Sequence, residues 1–225
     1  MTFSLVARCS QTGMLGVAIA SSSICVVSRC PWVRSGVGAS TTQNVTDPSL
    51  GNLMLNYLEE GLNVQEAIDK IIENNKFINY RQLSLIDAKG NSASFTGSKI
   101  LGRHAVSKGV DCIATGNLLS STNVINSMTD NFKKNSNVHF IERLLLALQA
   151  GVDSGGEESP LHSTGIKVAH ENSWPLVDLR IDWTENNPVA ELIELWNTYK
   201  PQMEDYKSRA TNPDKAPSYA VPGDL

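Results

Sequence analysis

A chain of 225 residues with 41% apolar and 19% charged side chains has enough hydrophobic material for a packed core and too little charge for a disordered segment. At this length about 70% of the unfolded surface is buried on folding, so the core needs no disulfide or metal staple. The formal charge is −4 and the lysines and arginines are scattered, which excludes a nucleic-acid-binding footprint.

The opening Met1-Thr2-Phe3-Ser4 lacks the basic and apolar runs of a signal peptide, and no apolar stretch reaches the roughly 18 residues of a membrane span. The expectation is a cytoplasmic protein with no membrane segment. Cys9, Cys25, Cys30 and Cys112 form no CxxC and read as small buried residues in a reducing compartment.

Residues 2–9 are rich in β-formers, Ser10-Gln11-Thr12-Gly13 is a turn signal, and residues 14–20 complete a hairpin. Ser21-Ser22-Ser23 breaks the pattern. Residues 24–28 then read as a third strand and 33–41 as a fourth, with Gly36 and Gly38 marking a bulge or a close backbone approach. Asp47 before Pro48 starts a helix whose apolar stripe is Leu50, Leu53, Met54, Tyr57 and Leu58, ending at Gly61. Asn63 with Glu66 caps a second helix that buries Ala67, Ile68, Ile71 and Ile72.

Residues 82–87 and 92–96 flank Ala88-Lys89-Gly90-Asn91 as another hairpin, and residues 110–115 read as a strand. Helices follow at about 122–134 and from after Asn137 to Gly151, the second burying Phe140, Ile141, Leu144, Leu145 and Leu148. Residues 165–169 and 176–182 read as a closing strand pair. Pro188 opens a last helix, and the polar stretch after Pro201 reads as a surface arm. The expected organisation is a single domain over residues 1–200 and a polar C-terminal extension over 201–225.

The second strand decides how these pieces stack. Leu15, Val17 and Ile19 lie on one face and Gly16, Ala18 and Ala20 on the other, so neither face is polar. A strand of that kind must be covered on both sides. With about eight strands and five helices in hairpin-then-helix-pair order, the fold class is α+β, a four-layer αββα sandwich of two antiparallel sheets. A single-sheet α+β domain is the alternative.

No GxGxxG after a strand, GxxxxGK[ST], GxSxG, HExxH or CxxC motif is present, and His104, His139, His162 and His170 are dispersed. Nothing therefore calls for a cofactor or a metal. Thr2 is the most informative candidate. Removal of the initiator methionine would place a hydroxyl and a free amine, with a reference pKa near 7.7–8.0, on one residue. The segment 40–48, which includes Thr42 and Gln43, joins a strand to a helix start, where free backbone N–H groups can hold a small polar ligand. Arg8, Arg29 and Arg34 lie in weakly charged strand segments and are candidate partners for a substrate carboxylate, or else structural ion pairs. Gly116-Asn117 forms a polar corner after a strand, and Gly155-Gly156-Glu157-Glu158 an acidic loop.

Several of these segments carry a resemblance. Residues 2–8, 13–21, Gly36-Val37-Gly38-Ala39 with Thr42-Gln43, 87–90, 95–97, 116–119, Ala150-Gly151 with Gly155-Gly156, and 177–182 resemble a bacterial family of unknown function, of DUF1028 type. That family is grouped with the N-terminal-nucleophile (Ntn) hydrolase-like proteins. Ala216-Pro217-Ser218-Tyr219 with Val221-Pro222-Gly223-Asp224 resembles a C-terminal extension of some members. The resemblance spans nearly the whole chain and implies the proteasome-subunit-like αββα sandwich, with Thr2 at the start of its first strand. It also shows two departures. No lysine precedes Lys70, so the lysine that tunes the threonine in proteasome-type enzymes is missing from the opening strands. Ser159-Pro160-Leu161-His162-Ser163 replaces an arginine-rich run, leaving Ser163 as the residue that carries over directly.

Two readings follow. In the first, the chain hydrolyses a small amide or related C–N bond. Thr2 is the nucleophile, Asn117 or backbone N–H groups stabilise the oxyanion, and Arg8, Arg29, Arg34, Thr42, Gln43 and Ser163 line the substrate site. In the second, a non-catalytic ligand-binding or assembly protein uses the same sandwich. The partner expected in the first reading is a small molecule bearing a carboxylate, with a homodimer as the default assembly.

Overall fold

The computed structural model describes residues 1–220. In chain order the strands of the first half are β1 (Thr2–Arg8), β2 (Leu15–Ser21), β3 (Pro31–Arg34), β4 (Gly38–Asn44), β5 (Arg81–Asp87) and β6 (Ser92–Thr96). Those of the second half are β7 (Ala105–Gly109), β8 (Cys112–Asn117), β9 (Ser163–Ala169) and β10 (Val177–Ile181). The helices are α1 (Ser49–Glu59), α2 (Val64–Asn74), α3 (Asn123–Lys134), α4 (Phe140–Asp153), α5 (Pro188–Tyr199) and α6 (Met203–Thr211).

The strands form two antiparallel sheets, one ordered β10-β9-β2-β1-β8-β7 and the other β3-β4-β5-β6. Side chains alternate across each strand, so one register fixes which residues meet which layer. Val6, Leu15, Val17, Ile19 and Ile113 of the first sheet meet Ala39 and Ile86 of the second between the sheets. Phe3, Leu5, Ala18, Ala20 and Ala114 turn the other way, into a core with α3, α4 and α5. Leu83 and Leu85 meet the buried stripes of α1 and α2 on the outer face of the second sheet. The result is a four-layer αββα sandwich.

The size difference between the faces of β2 has a structural cause. A side chain added at Gly16 would come within 2.8 Å of Leu144 Cδ1 and 3.0 Å of Phe140 Cε1. The small face of β2 is what lets α4 lie close to the sheet, while the large face fills the space between sheets. Every residue of β2 is buried, so the opening hairpin has no wet face.

Several expectations change in detail. Residues 24–28 are not a strand: Cys25 takes a left-handed conformation (φ 54°) and a short 3-10 turn follows over Val26–Ser28. The three serines lead the chain out of the sheet there, and Val27 packs where a side chain on Gly165 would otherwise sit. Residues 33–41 divide into β3 and β4 at a turn in which Gly36 has φ 70°. Gly38 does mark a close approach, since a Cβ there would lie 2.5 Å from the Ile86 carbonyl oxygen. The capping box of α2 forms as read, with Asn63 accepting from the Gln65 and Glu66 N–H groups.

α4 does not stop at Gly151. That glycine is a packing residue, with Phe3 and Met128 about 3.0–3.1 Å from where its Cβ would be, and the chain reverses at Gly155 (φ 110°) and Gly156 (φ 56°). Strand β7 escaped the sequence reading because it is a short, half-buried edge strand. The segment after Pro201 is not simply an arm: it contains α6, whose Met203 joins the core and whose Tyr206 stacks on Tyr199 at 6.0 Å. Val221-Pro222-Gly223-Asp224, part of the resemblance above, lies outside the described residues. No helix among the described residues is long and apolar enough to cross a membrane.

The close contact between β2 and α4 is testable. Gly16→Val should destabilise the protein by about 1–3 kcal/mol through overpacking, measured by denaturant unfolding, whereas Ala18→Gly should cost less. An unchanged midpoint for Gly16→Val would mean that α4 does not pack there.

Candidate active site at the start of the chain

Toward the start of β1 the space between the sheets changes from apolar to polar. The register places Asn117 of β8 beside Thr2 and Ser163 of β9 beside Ser21. Because Phe3 pairs with Ala20, Thr2 lies next to Ser21. Asn117, Thr2, Ser21 and Ser163 thus form one row across four adjacent strands, all of them buried.

The next row is held by a network that crosses between the sheets. Ser4 Oγ donates to Gln43 Oε1 at 2.9 Å, and Gln43 Nε2 donates to Gln82 Oε1 at 2.8 Å and to Thr115 Oγ1 at 3.2 Å. Asn117 Nδ2 donates to Gln82 Oε1 at 3.2 Å, and Gln82 Nε2 donates to the Gly116 carbonyl at 3.1 Å. Buried amides are costly unless paired, and this network pairs nearly all of them. Asn117 Oδ1 is the exception: it is buried without a partner.

The Thr2 hydroxyl donates to the Met1 carbonyl oxygen, and so does the Ser21 hydroxyl. The two hydroxyl oxygens are 3.3 Å apart. Ser21 is polarised from behind: Arg29 Nη2 donates to Ser23 Oγ at 3.0 Å, and Ser23 Oγ lies 2.7 Å from Ser21 Oγ. With Ser21 already donating to Met1, Ser23 is the donor in that contact, so the hydroxyls run in one direction from the guanidinium to the Met1 carbonyl. Ser163 fixes this segment, donating to the Ser23 carbonyl at 2.6 Å and accepting from the Val26 N–H at 3.1 Å. The His162 N–H adds a bond to the Ser21 carbonyl at 3.0 Å.

Glu157 closes the site from the loop after α4. Gly155 and Gly156 reverse the chain, and Glu157 then pairs with Leu119 just beyond Asn117. Its Oε2 accepts from the Ser22 N–H at 3.0 Å, while Oε1 is buried without a partner. Burial pushes the Glu157 carboxyl up to about 7, against the pull of the positively charged chain start and the Ser22 bonds. A carboxylate one residue from Ser21, poised to titrate near neutrality, is a feature of functional sites. In the sequence it belongs to an acidic loop, and nothing in Gly-Gly-Glu-Glu says that the loop folds back over β1.

The other candidates are placed differently. Arg29 belongs to the cluster, also donating to the Ile24 and Cys25 carbonyls at 2.6 and 2.9 Å. Arg8 lies at the far end of β1, bonded to Asp111 at 3.0 Å and to the Lys89 carbonyl at 2.8 Å. Arg34 pairs with Glu59 and donates to Asn56 at 2.9 Å, on the α1 side of the second sheet. Thr42 also faces α1, donating to the Asp47 carbonyl at 3.2 Å. Gln43 sits in the network one row behind Thr2. No lysine bonds to Thr2 or Ser21 among the described residues.

The two antiparallel sheets with helices on both outer sides match the Ntn-hydrolase-type fold. The crystal structure of a Silicibacter pomeroyi protein of the DUF1028 family superposes with a TM-score of 0.82 at 32% identity, over 88% of this chain and 89% of that one. Two structures of Anbu also align. The ancestral β-subunit from Yersinia bercovieri gives a TM-score of 0.42 at 10% identity, over 97% and 100% of the two chains. A Gly-1 mutant from Hyphomicrobium sp. strain MC1 gives 0.44 at 10% identity, over 98% and 100%. No curated protein matches the chain. The model of a family of unknown function, DUF1028, matches residues 2–192, and the chain belongs to that family.

Proposed function

We propose that the protein hydrolyses a small amide or related C–N bond, with Thr2 as the nucleophile once Met1 has been removed. One observation carries this reading: two hydroxyls, those of Thr2 and Ser21, converge on the carbonyl oxygen of Met1 in a buried polar row. With Met1 gone, that position suits the carbonyl of a substrate.

The freed Thr2 amine takes the hydroxyl proton as Oγ1 attacks the substrate carbonyl carbon. The oxyanion that forms accepts from the Ser21 hydroxyl, backed by Ser23 and Arg29, and from the second N–H of Asn117 Nδ2. The amine returns the proton to the leaving nitrogen as the C–N bond breaks. Water then hydrolyses the Thr2 ester and releases the acid. The unpartnered Oδ1 of Asn117 and the carboxylate of Glu157 hold the amine. Arg29, partly exposed at the edge of the cluster, is the arginine best placed for a substrate carboxylate.

The non-catalytic reading has its own supporting observation. While Met1 stays in place, its carbonyl occupies both hydroxyls. The mass of the mature chain separates the two readings. Loss of one methionine, with turnover on a panel of small acylated amines read by amine release, supports the hydrolase. Thr2→Ala should then lower kcat by about 10³-fold or more and Thr2→Ser should keep part of it. Retention of Met1, or unchanged turnover in Thr2→Ala, would overturn it.

Glu157 gives a pH signature. Folding raises its carboxyl from 4.5 to about 7, so its contribution to stability is complete below about pH 4.5 and is lost as the pH rises through 7. Glu157→Gln should therefore gain stability relative to the natural chain as the pH rises across that window. Removing the negative charge also lowers the pKa of the amine, so the acid limb of kcat/KM should move to lower pH. A stability difference that is constant with pH, or an unmoved acid limb, would remove Glu157 from this role.

A further inference from the structure

A second feature lies at the opposite end of the six-stranded sheet. The β1–β2 and β7–β8 turns meet the end of α3 and the start of α4 around a cavity of about 390 Å³. Arg143 lines it from α4 and is only 9% exposed. Its guanidinium lies 3.9 Å above the ring of Phe132, and Nη2 donates to the Phe132 carbonyl at 3.1 Å. That is the one hydrogen bond of the side chain among the described residues, and its Nε is buried without an acceptor. No carboxylate of the described residues forms an ion pair with it.

A buried guanidinium normally requires a carboxylate or other acceptor, because desolvating the charge is otherwise uncompensated. The remaining lining adds positive charge and donors. Lys133 lines the cavity, as do Ser10 and Ser136. The acid present, Asp111, is engaged by Arg8 at 3.0 Å. Capping the C-terminus of α3 accounts for one N–H of Arg143 and leaves the rest of its fork unexplained.

We propose that this cavity binds a small oxyanion, a phosphoryl or carboxylate group, through Arg143 and Lys133, with Ser10 and Ser136 as further donors. The site lies a strand length from Thr2, about 20 Å away at some 3.3 Å per residue, and does not depend on the reaction proposed above.

Calorimetric titration and thermal unfolding of the full chain test it, with inorganic phosphate and succinate added separately at constant ionic strength in chloride. Saturable binding with a raised Tm is expected. Lys133→Gln, at an exposed position, should weaken it at least tenfold, and Arg143→Gln should abolish it. If Arg143→Gln fails to fold, Arg143→Lys serves instead and should still bind more weakly, because it keeps the charge but loses the planar fork. Preference for phosphate assigns the site to phosphoryl groups and preference for succinate to carboxylates. Absence of saturable binding by either anion, or binding unchanged in Lys133→Gln and Arg143→Lys, would overturn the proposal.

Discussion

The structure depends on the burial of both faces of the opening hairpin. β1 pairs with β2 on one side and β8 on the other, and six of its seven residues are buried. An antiparallel strand in that position cannot present a solvated face, so its alternation separates two cores instead of core from water. Phe3, Leu5 and Ala7 serve the helix layer, while Thr2, Ser4 and Val6 serve the layer between sheets. Once that register is set, a second sheet and two sets of helices are required to cover what the hairpin exposes.

The same alternation explains why polar groups collect where they do. Thr2 and Ser4 share a face with Val6, so the interior passes from apolar to polar over a few residues of one strand. Ser4, Gln43, Gln82, Thr115 and Asn117 tolerate burial because they bond to each other across the sheets. Such a network has few alternative arrangements, and it holds the side chains of the row beside Thr2 in fixed positions. The row beside Thr2 is thus sheltered from water and held in place by its neighbours.

The electrostatics of the site differ from what three arginines in one sequence region suggest. Arg8 and Arg34 neutralise Asp111 and Glu59 at other parts of the molecule. Arg29 reaches Ser21 through Ser23, and the Glu157 carboxyl accepts from the N–H of the neighbouring Ser22. Among the described residues, the charges brought toward Thr2 are the Arg29 guanidinium, the buried Glu157 carboxyl and the chain start.

Much of the fold was legible in the sequence because periodicity reports burial directly. The two apolar faces of β2, the capping box at Asn63 and the proline opening α5 each specify local structure through a local physical rule, and the αββα order follows from them. The candidate site is legible in part: Thr2, Asn117, Ser163, Gln43 and Arg29 are candidates from the sequence alone, whereas Ser21, Gln82 and Glu157 are not placed beside Thr2 by it. Ser21 looked like part of a strand break, Gln82 like the first residue of a hairpin, and Glu157 like a loop acid. Their roles arise from cross-strand register and from a loop folding back over β1, contacts such as that of Glu157 with Ser22, 135 positions apart in the chain. Local composition determines which residues can be buried; only the tertiary structure decides which buried polar groups meet, because that depends on how distant strands align.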